Sequence, residues 1–170
     1  MDSVENHPKD PGSPRAQDSI VGRPVTDFIP HRPPFLFLSR VLEHEGDRLV
    51  AEWDVPTDLA AFEGHFPGEP VLPGVLISEF CFQAGAVLIY ATSQADQEAD
   101  GVPVLTRIEE ARFRKIVRPG ETLRAEVHLT ERLSNARYVT AKVTSDGQSV
   151  VRLKCVLAVA PPAKAEGTAS

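Results

Sequence analysis

The sequence is short of cysteine, has no excess of positive charge, and lacks both an export signal and a cluster of metal ligands. Its two cysteines, Cys81 and Cys155, stand 74 positions apart. That spacing makes neither a disulfide framework nor a CxxC zinc or redox pair, so a reducing cytoplasm is the expected compartment. Eighteen basic residues against 24 acidic ones leave a formal charge of −6, which argues against a general nucleic-acid binder with its basic footprint. No basic start followed by an apolar core opens the chain, so no signal peptide is expected. His7, His44 and His128 have no ligand-like spacing, and neither a metal nor another cofactor is expected. No internal repeat is visible. What remains is 170 residues, 42% hydrophobic and 25% charged. That describes one globular domain, long enough to bury a core without disulfides or metal.

Proline, by contrast, is abundant. Fifteen residues are about 9% of the chain, nearly twice ordinary usage, and their placement divides it. Residues 1–20 are polar and proline-rich, and read as a disordered leader; 161–170 read as a flexible tail. Between them, 21–160 form the domain, with two long proline-free windows. The first opens with Val75 to Tyr90, apolar nearly all round, which predicts a helix buried on every side. The polar run Thr92 to Asp100 is expected to end it. At about 16 residues with an acid in the middle, the run is too short to cross a membrane. The second window alternates: Thr122 to Leu129, Arg137 to Thr144 and Ser149 to Ala160 read as strands, with a hairpin turn at Asp146-Gly147. Upstream, Phe35 to Glu43 and Leu49 to Val55 predict a hairpin across Gly46-Asp47, and Val104 to Val117 one long strand. One buried helix with five or six antiparallel strands is an α+β pattern, the sheet curled around the helix.

The chemistry concentrates between Phe62 and Val75. Prolines 67, 70 and 73 alternate there with glycines 64, 68 and 74, making a loop of specified shape because proline fixes φ and glycine permits φ > 0. It carries one imidazole, His65. Glu79 lies inside the apolar helix with Gln83 one turn later on the same face. A carboxyl in apolar surroundings keeps its proton to higher pH, which suits a general acid; His65 supplies a base. Neither Leu72 nor Pro73 is a capping residue. The N–H groups of Gly74 and Val75 therefore lack an obvious side-chain acceptor and can hold a carbonyl oxygen. A base, an acid and an uncapped helix start suit proton abstraction beside a carbonyl, with the N–H donors stabilising an enolate-like oxygen.

Gly64-His65-Phe66-Pro67-Gly68-x-Pro70-Val71-x-Pro73-Gly74-Val75-Leu76-Ile77-x-Glu79, with Ile29-Pro30-His31-Arg32 and Pro34-Phe35-Leu36, closely resembles the FabZ-type 3-hydroxyacyl-[acyl-carrier-protein] dehydratases, from about Val25 to Ala160. The resemblance implies a hot-dog fold, an antiparallel sheet wrapped around a central helix. It implies a homodimer, often assembled further into a trimer of dimers, with each active site built from the His of one subunit and the Glu of the other. It implies hydro-lyase chemistry: His65 takes a C2 proton, Glu79 helps the C3 hydroxyl leave, the Gly74 amide holds the thioester oxygen, and Gln83 supports the acid. Two departures stand out. Pro33 occupies the place of a tunnel-gating Tyr, and Ser39 that of an Asp. His31-Arg32 is expected to order its loop.

The segment 107–118 carries a local +3. Arg112, Arg114, Lys115 and Arg118 are candidate contacts for an acidic acyl carrier protein loaded with the 3-hydroxyacyl chain, since such patches steer association. The alternatives are a thioesterase or R-specific enoyl-CoA hydratase of the same fold, and a non-catalytic module that binds acyl thioesters. A module of that kind needs no paired His65 and Glu79.

Overall fold

A computed structural model of the protein describes residues 19–96 and 101–160. The expected leader and tail lie almost wholly outside these residues. Ile20, counted with the leader, instead packs into the core at 4% exposure. The elements run β1 (Arg40–Glu45), β2 (Arg48–Asp54), α1 (Ala61–Gly64), α2 (Gly74–Asp96), β3 (Val102–Phe113), β4 (Thr122–Leu133), β5 (Ala136–Ser145) and β6 (Gln148–Ala160). The six strands form one sheet in the order β1-β2-β4-β5-β6-β3, antiparallel throughout. This is the expected α+β architecture, with the hot-dog arrangement of a sheet around a long helix.

Alternation builds the sheet. Leu123, Ala125, Val127 and Leu129 of β4 are buried while their neighbours face outward. Val139, Ala141 and Val143 of β5 and Leu153, Cys155 and Leu157 of β6 continue that inner face. Onto it packs α2, whose Ile77, Phe80, Cys81, Val87, Leu88 and Ile89 are buried in one cluster with the strands. Each large aliphatic or aromatic side chain so removed from water contributes roughly 1.5–3 kcal/mol. The β5–β6 turn is as predicted: Asp146 and Gly147 take φ of 49° and 74°, the left-handed pair that a type I′ hairpin requires.

Several expected boundaries move by a few residues, and for three of them the contacts supply the reason. The first strand begins at Arg40, because the Phe37 N–H donates to Gln83 Oε1 (2.9 Å), and pairing with β2 starts only at Ser39. The helix runs to Asp96 through the polar run expected to end it. Thr92 fits because its hydroxyl bonds back to the carbonyls of Leu88 and Ile89. Strand β3 stops at Phe113, after which Lys115 and the Arg118 N–H turn to the Glu121 carboxylate. The short α1 and a 3-10 turn at Val25–Asp27 were too brief to show a period.

The helix is longer than its apolar run suggested. Gly74–Ser93 is long and apolar enough to cross a membrane by length and composition, so length does not decide the matter. Packing does: two-thirds of that stretch is buried inside the fold. Strand β3 is the opposite case. Among the described residues it pairs only with β6, and Val104, Leu105, Ile108 (49%) and Phe113 are exposed along it.

Candidate active site

His65 caps the C-terminus of α1, its N–H bonding to Ala61 O at 3.0 Å. The loop then closes on itself. Val71 N–H donates to His65 O (2.9 Å), and Phe66 and Glu69 exchange backbone bonds around Gly68, which takes φ 81°. His65 Nδ1 lies 2.8 Å from Val71 O. A carbonyl only accepts, so Nδ1 carries the hydrogen and Nε2 is left with its lone pair free. The Phe66 ring stacks on the imidazole with centroids 4.1 Å apart. Three prolines and three glycines thus produce a two-sided clamp between residues 65 and 71 that fixes tautomer and orientation together.

Glu79 sits one turn into α2, its side chain 20% exposed. It accepts from Gln83 Nε2 at 3.0 Å. Gln83 is fully buried and uses both ends of its amide: Oε1 accepts the Phe37 N–H, and Nε2 also reaches Phe35 O at 3.3 Å. One amide therefore ties the Glu79 carboxyl to the segment before β1. That segment is pinned in turn by Arg32, which donates to the carbonyls of Ile29, His31 and Thr26. Arg32 thus orders its loop as expected. His31 does something the sequence did not suggest, bringing Nε2 to 3.6 Å from Glu79 Oε1.

The helix start is open. Leu76 and Ile77 N–H both turn to Pro73 O, whereas among the described residues no acceptor takes the N–H of Gly74 or Val75. Val75 is 74% exposed. A β-carbon at Gly74 would stand 3.0 Å from the Phe113 ring, so the glycine lets the end of β3 lie against the helix start. Preceding it, Leu72 N–H donates to Val117 O at 2.8 Å. The 113–121 loop that offers this carbonyl is organised by Glu121, which the sequence reading missed. Its carboxylate receives Lys115 Nζ, Ser145 Oγ and the Arg118 N–H. Burial pushes its pKa up, but these donors outweigh burial and hold it below the ordinary value. No local pattern could have flagged it, because Ser145 is 24 positions away.

Among the described residues no hydrogen bond or ion pair joins His65 to Glu79. The two side chains stand on separate elements, His65 after α1 and Glu79 within α2. A covalent route through sulfur is disfavoured, because burial raises the pKa of both Cys81 and Cys155. No group of three or more His, Cys, Asp or Glu among the described residues could hold a metal. Of the basic candidates, Arg112 pairs with Glu110, Arg118 with Glu69 and Lys115 with Glu121, leaving Arg114 without an ion pair among the described residues. Strand register adds Arg152 opposite Arg112, and Lys142 opposite Arg152. At the two departures, Ser39 Oγ accepts the Asp54 N–H (3.0 Å), and Pro33 is exposed.

A FabA-like domain model matches residues 29–154. The 3-hydroxyacyl-[acyl-carrier-protein] dehydratase FabZ of Anaeromyxobacter dehalogenans is 42% identical over 132 residues, covering 77% of this chain and 83% of that one. The FabZ of Staphylococcus carnosus is 39% identical over 136 residues, covering 79% and 92%. Among solved structures, the dehydratase heterocomplex ApeI:P from Xenorhabdus doucetiae is similar with a TM-score of 0.70 at 18% identity, covering 82% of this chain and 93% of that one. The PaaI protein of Escherichia coli gives 0.56 at 12% identity, covering 69% and 80%. At those identities the two structures speak for the hot-dog fold alone.

Proposed function

The chain belongs to the FabA-like domain family, and from that membership we propose that it dehydrates (3R)-3-hydroxyacyl-[acyl-carrier-protein] thioesters to trans-2-enoyl thioesters in fatty-acid synthesis. The observation that carries the chemistry is the His65 tautomer. With Nδ1–H held by Val71 O, Nε2 is a base oriented before substrate arrives. His65 removes a C2 proton, and the Gly74 and Val75 N–H groups stabilise charge on the thioester oxygen. The electron pair of the broken C–H bond becomes the C2=C3 double bond. The C3 hydroxyl leaves with a proton from Glu79 as water. Gln83 holds Glu79 in place and touches no reacting atom.

The two halves meet across a homodimer, with His65 of one subunit facing Glu79 of its partner. Two features support this: within one chain, among the described residues, no contact joins His65 to Glu79, and the apolar edge of β3 is exposed. An open edge of that kind calls for a covering strand. Further assembly as a trimer of dimers is in keeping with the family. The acyl carrier protein approaches the face bearing Arg112 and Arg114, extended by Arg152 and Lys142; Lys115 and Arg118 serve the loop through Glu121 and Glu69. Two buried thiols suit a reducing compartment, and we assign the protein to the cytoplasm.

The test is turnover. Purified protein is incubated with a 3-hydroxyacyl carrier protein, and enoyl formation is followed for wild type, His65→Ala and Glu79→Gln. The expected result is turnover by wild type and a loss of at least about 100-fold in each variant. A wild type no faster than its variants would falsify the enzyme reading and favour the acyl-binding module.

A further inference from the structure

One polar side chain beside Glu79 has no part in the reaction above. His31 lies before β1, its ring stacked on Phe35 with centroids 6.3 Å apart and its side chain 24% exposed. Nε2 stands 3.6 Å from Glu79 Oε1. Nδ1 is buried, and no described residue gives it a hydrogen-bond partner. These two environments decide where the proton sits. An imidazolium would bury an N–H at Nδ1 with nothing to accept it, on a ring mostly out of water. A neutral ring protonated at Nδ1 would bury the same orphan donor and turn a lone pair against a carboxyl oxygen. The neutral form with its hydrogen on Nε2 avoids both and aims an N–H at Glu79.

Resting on the proposed role of Glu79, we infer that His31 is a positioning residue that, together with Gln83, fixes Oε2 as the proton-donating oxygen of Glu79. Gln83 already donates to Oε1 at 3.0 Å, and His31 places Nε2 3.6 Å from the same atom. A hydrogen on Oε1 would face two N–H groups, so the acidic hydrogen belongs on Oε2. At 3.6 Å the His31 contact is longer than a hydrogen bond. It shortens as Glu79 gives up its proton and negative charge grows on the carboxylate. An interaction that strengthens toward the transition state raises kcat and leaves KM alone. Arg32, next to His31 in sequence, is committed to three backbone carbonyls. His31 and Gln83 are thus the donors that reach this carboxyl among the described residues.

Two substitutions separate positioning from packing. His31→Phe keeps a ring against Phe35 and removes the N–H; His31→Gln returns an N–H near the old Nε2 position. Steady-state kinetics on a 3-hydroxybutyryl thioester should show kcat lower by about 10–100-fold in His31→Phe, with KM within about twofold. His31→Gln should stay within about fivefold of wild type. A second readout needs no turnover: carbon NMR of labelled glutamate follows the ionisation of Glu79. Because an N–H donor favours the carboxylate, its removal raises the Glu79 pKa in His31→Phe, and His31→Gln restores it. His31→Leu serves as a second donor-less variant if His31→Phe does not fold. An inactive wild type would strike at the dehydratase reading and leave the titration to judge this one. Wild-type kcat in the donor-less variant, equal impairment of it and His31→Gln, or an unmoved Glu79 titration would each overturn the inference.

Discussion

Replacing Gln83 by Met removes the amide that ties the acid to the core while keeping an unbranched side chain of similar length. The structure sets the size of the effect. Gln83 is fully buried and Phe37 is buried; the Phe37 N–H donates to Gln83 Oε1 at 2.9 Å and would lose that acceptor. Leaving such a group unsatisfied costs about 1–3 kcal/mol. The Phe35 carbonyl and the Glu79 carboxyl are nearer solvent, and each adds roughly 0.5 kcal/mol as water replaces the lost donor. The total is about 2–4 kcal/mol, equivalent to roughly 4–16 °C in Tm for a chain of this size. Urea unfolding of both proteins at one pH and one concentration measures it, the fixed concentration removing any contribution from subunit association. A loss under about 0.5 kcal/mol at unchanged m would mean that the Phe37 N–H finds another acceptor, and the tie between α2 and the segment before β1 would not exist as described.

Other predictions concern the periphery. Glu121→Gln should destabilise the protein by about 1–2 kcal/mol near neutral pH. The folded pKa of Glu121 lies below its ordinary 4.5, so the stability due to its charge is present above about 4.5 and is lost as pH falls through the folded value. The gap between wild type and variant should accordingly close in acid, and a constant gap from pH 7 to pH 3 would contradict the ionic reading. Arg114→Glu should raise KM for a carrier-linked substrate on the order of three- to tenfold at low salt and leave a small N-acetylcysteamine thioester unaffected. Equal effects on both substrates would remove Arg114 from the carrier face.

Much of this molecule is legible in its sequence where the information is local. The apolar run from Val75 to Tyr90 marks a core helix, and alternation from Thr122 onward marks strands whose inner residues are buried as read. The proline–glycine loop announces a rigid setting for His65. Less legible is whatever depends on partners far along the chain. Gln83 bonds to residues 46 and 48 positions away, which is why Phe35 to Ser39 read as strand and are not. Glu121 gathers Lys115 and Ser145 from opposite sides of the chain. His31 looks like loop furniture until the fold sets it against Glu79. Polar residues in these places serve tertiary geometry that no local period encodes.

The central claim is that His65 and Glu79 dehydrate a hydroxyacyl thioester from opposite sides of a subunit interface. Mixing His65→Ala with Glu79→Gln tests it most directly. After subunit exchange, hybrid dimers carry one intact site, and random pairing predicts recovery to about a quarter of wild-type turnover from two inactive proteins. Exchange is verified independently by mass spectrometry of the mixed oligomers. No recovery after complete exchange would contradict a site shared between subunits.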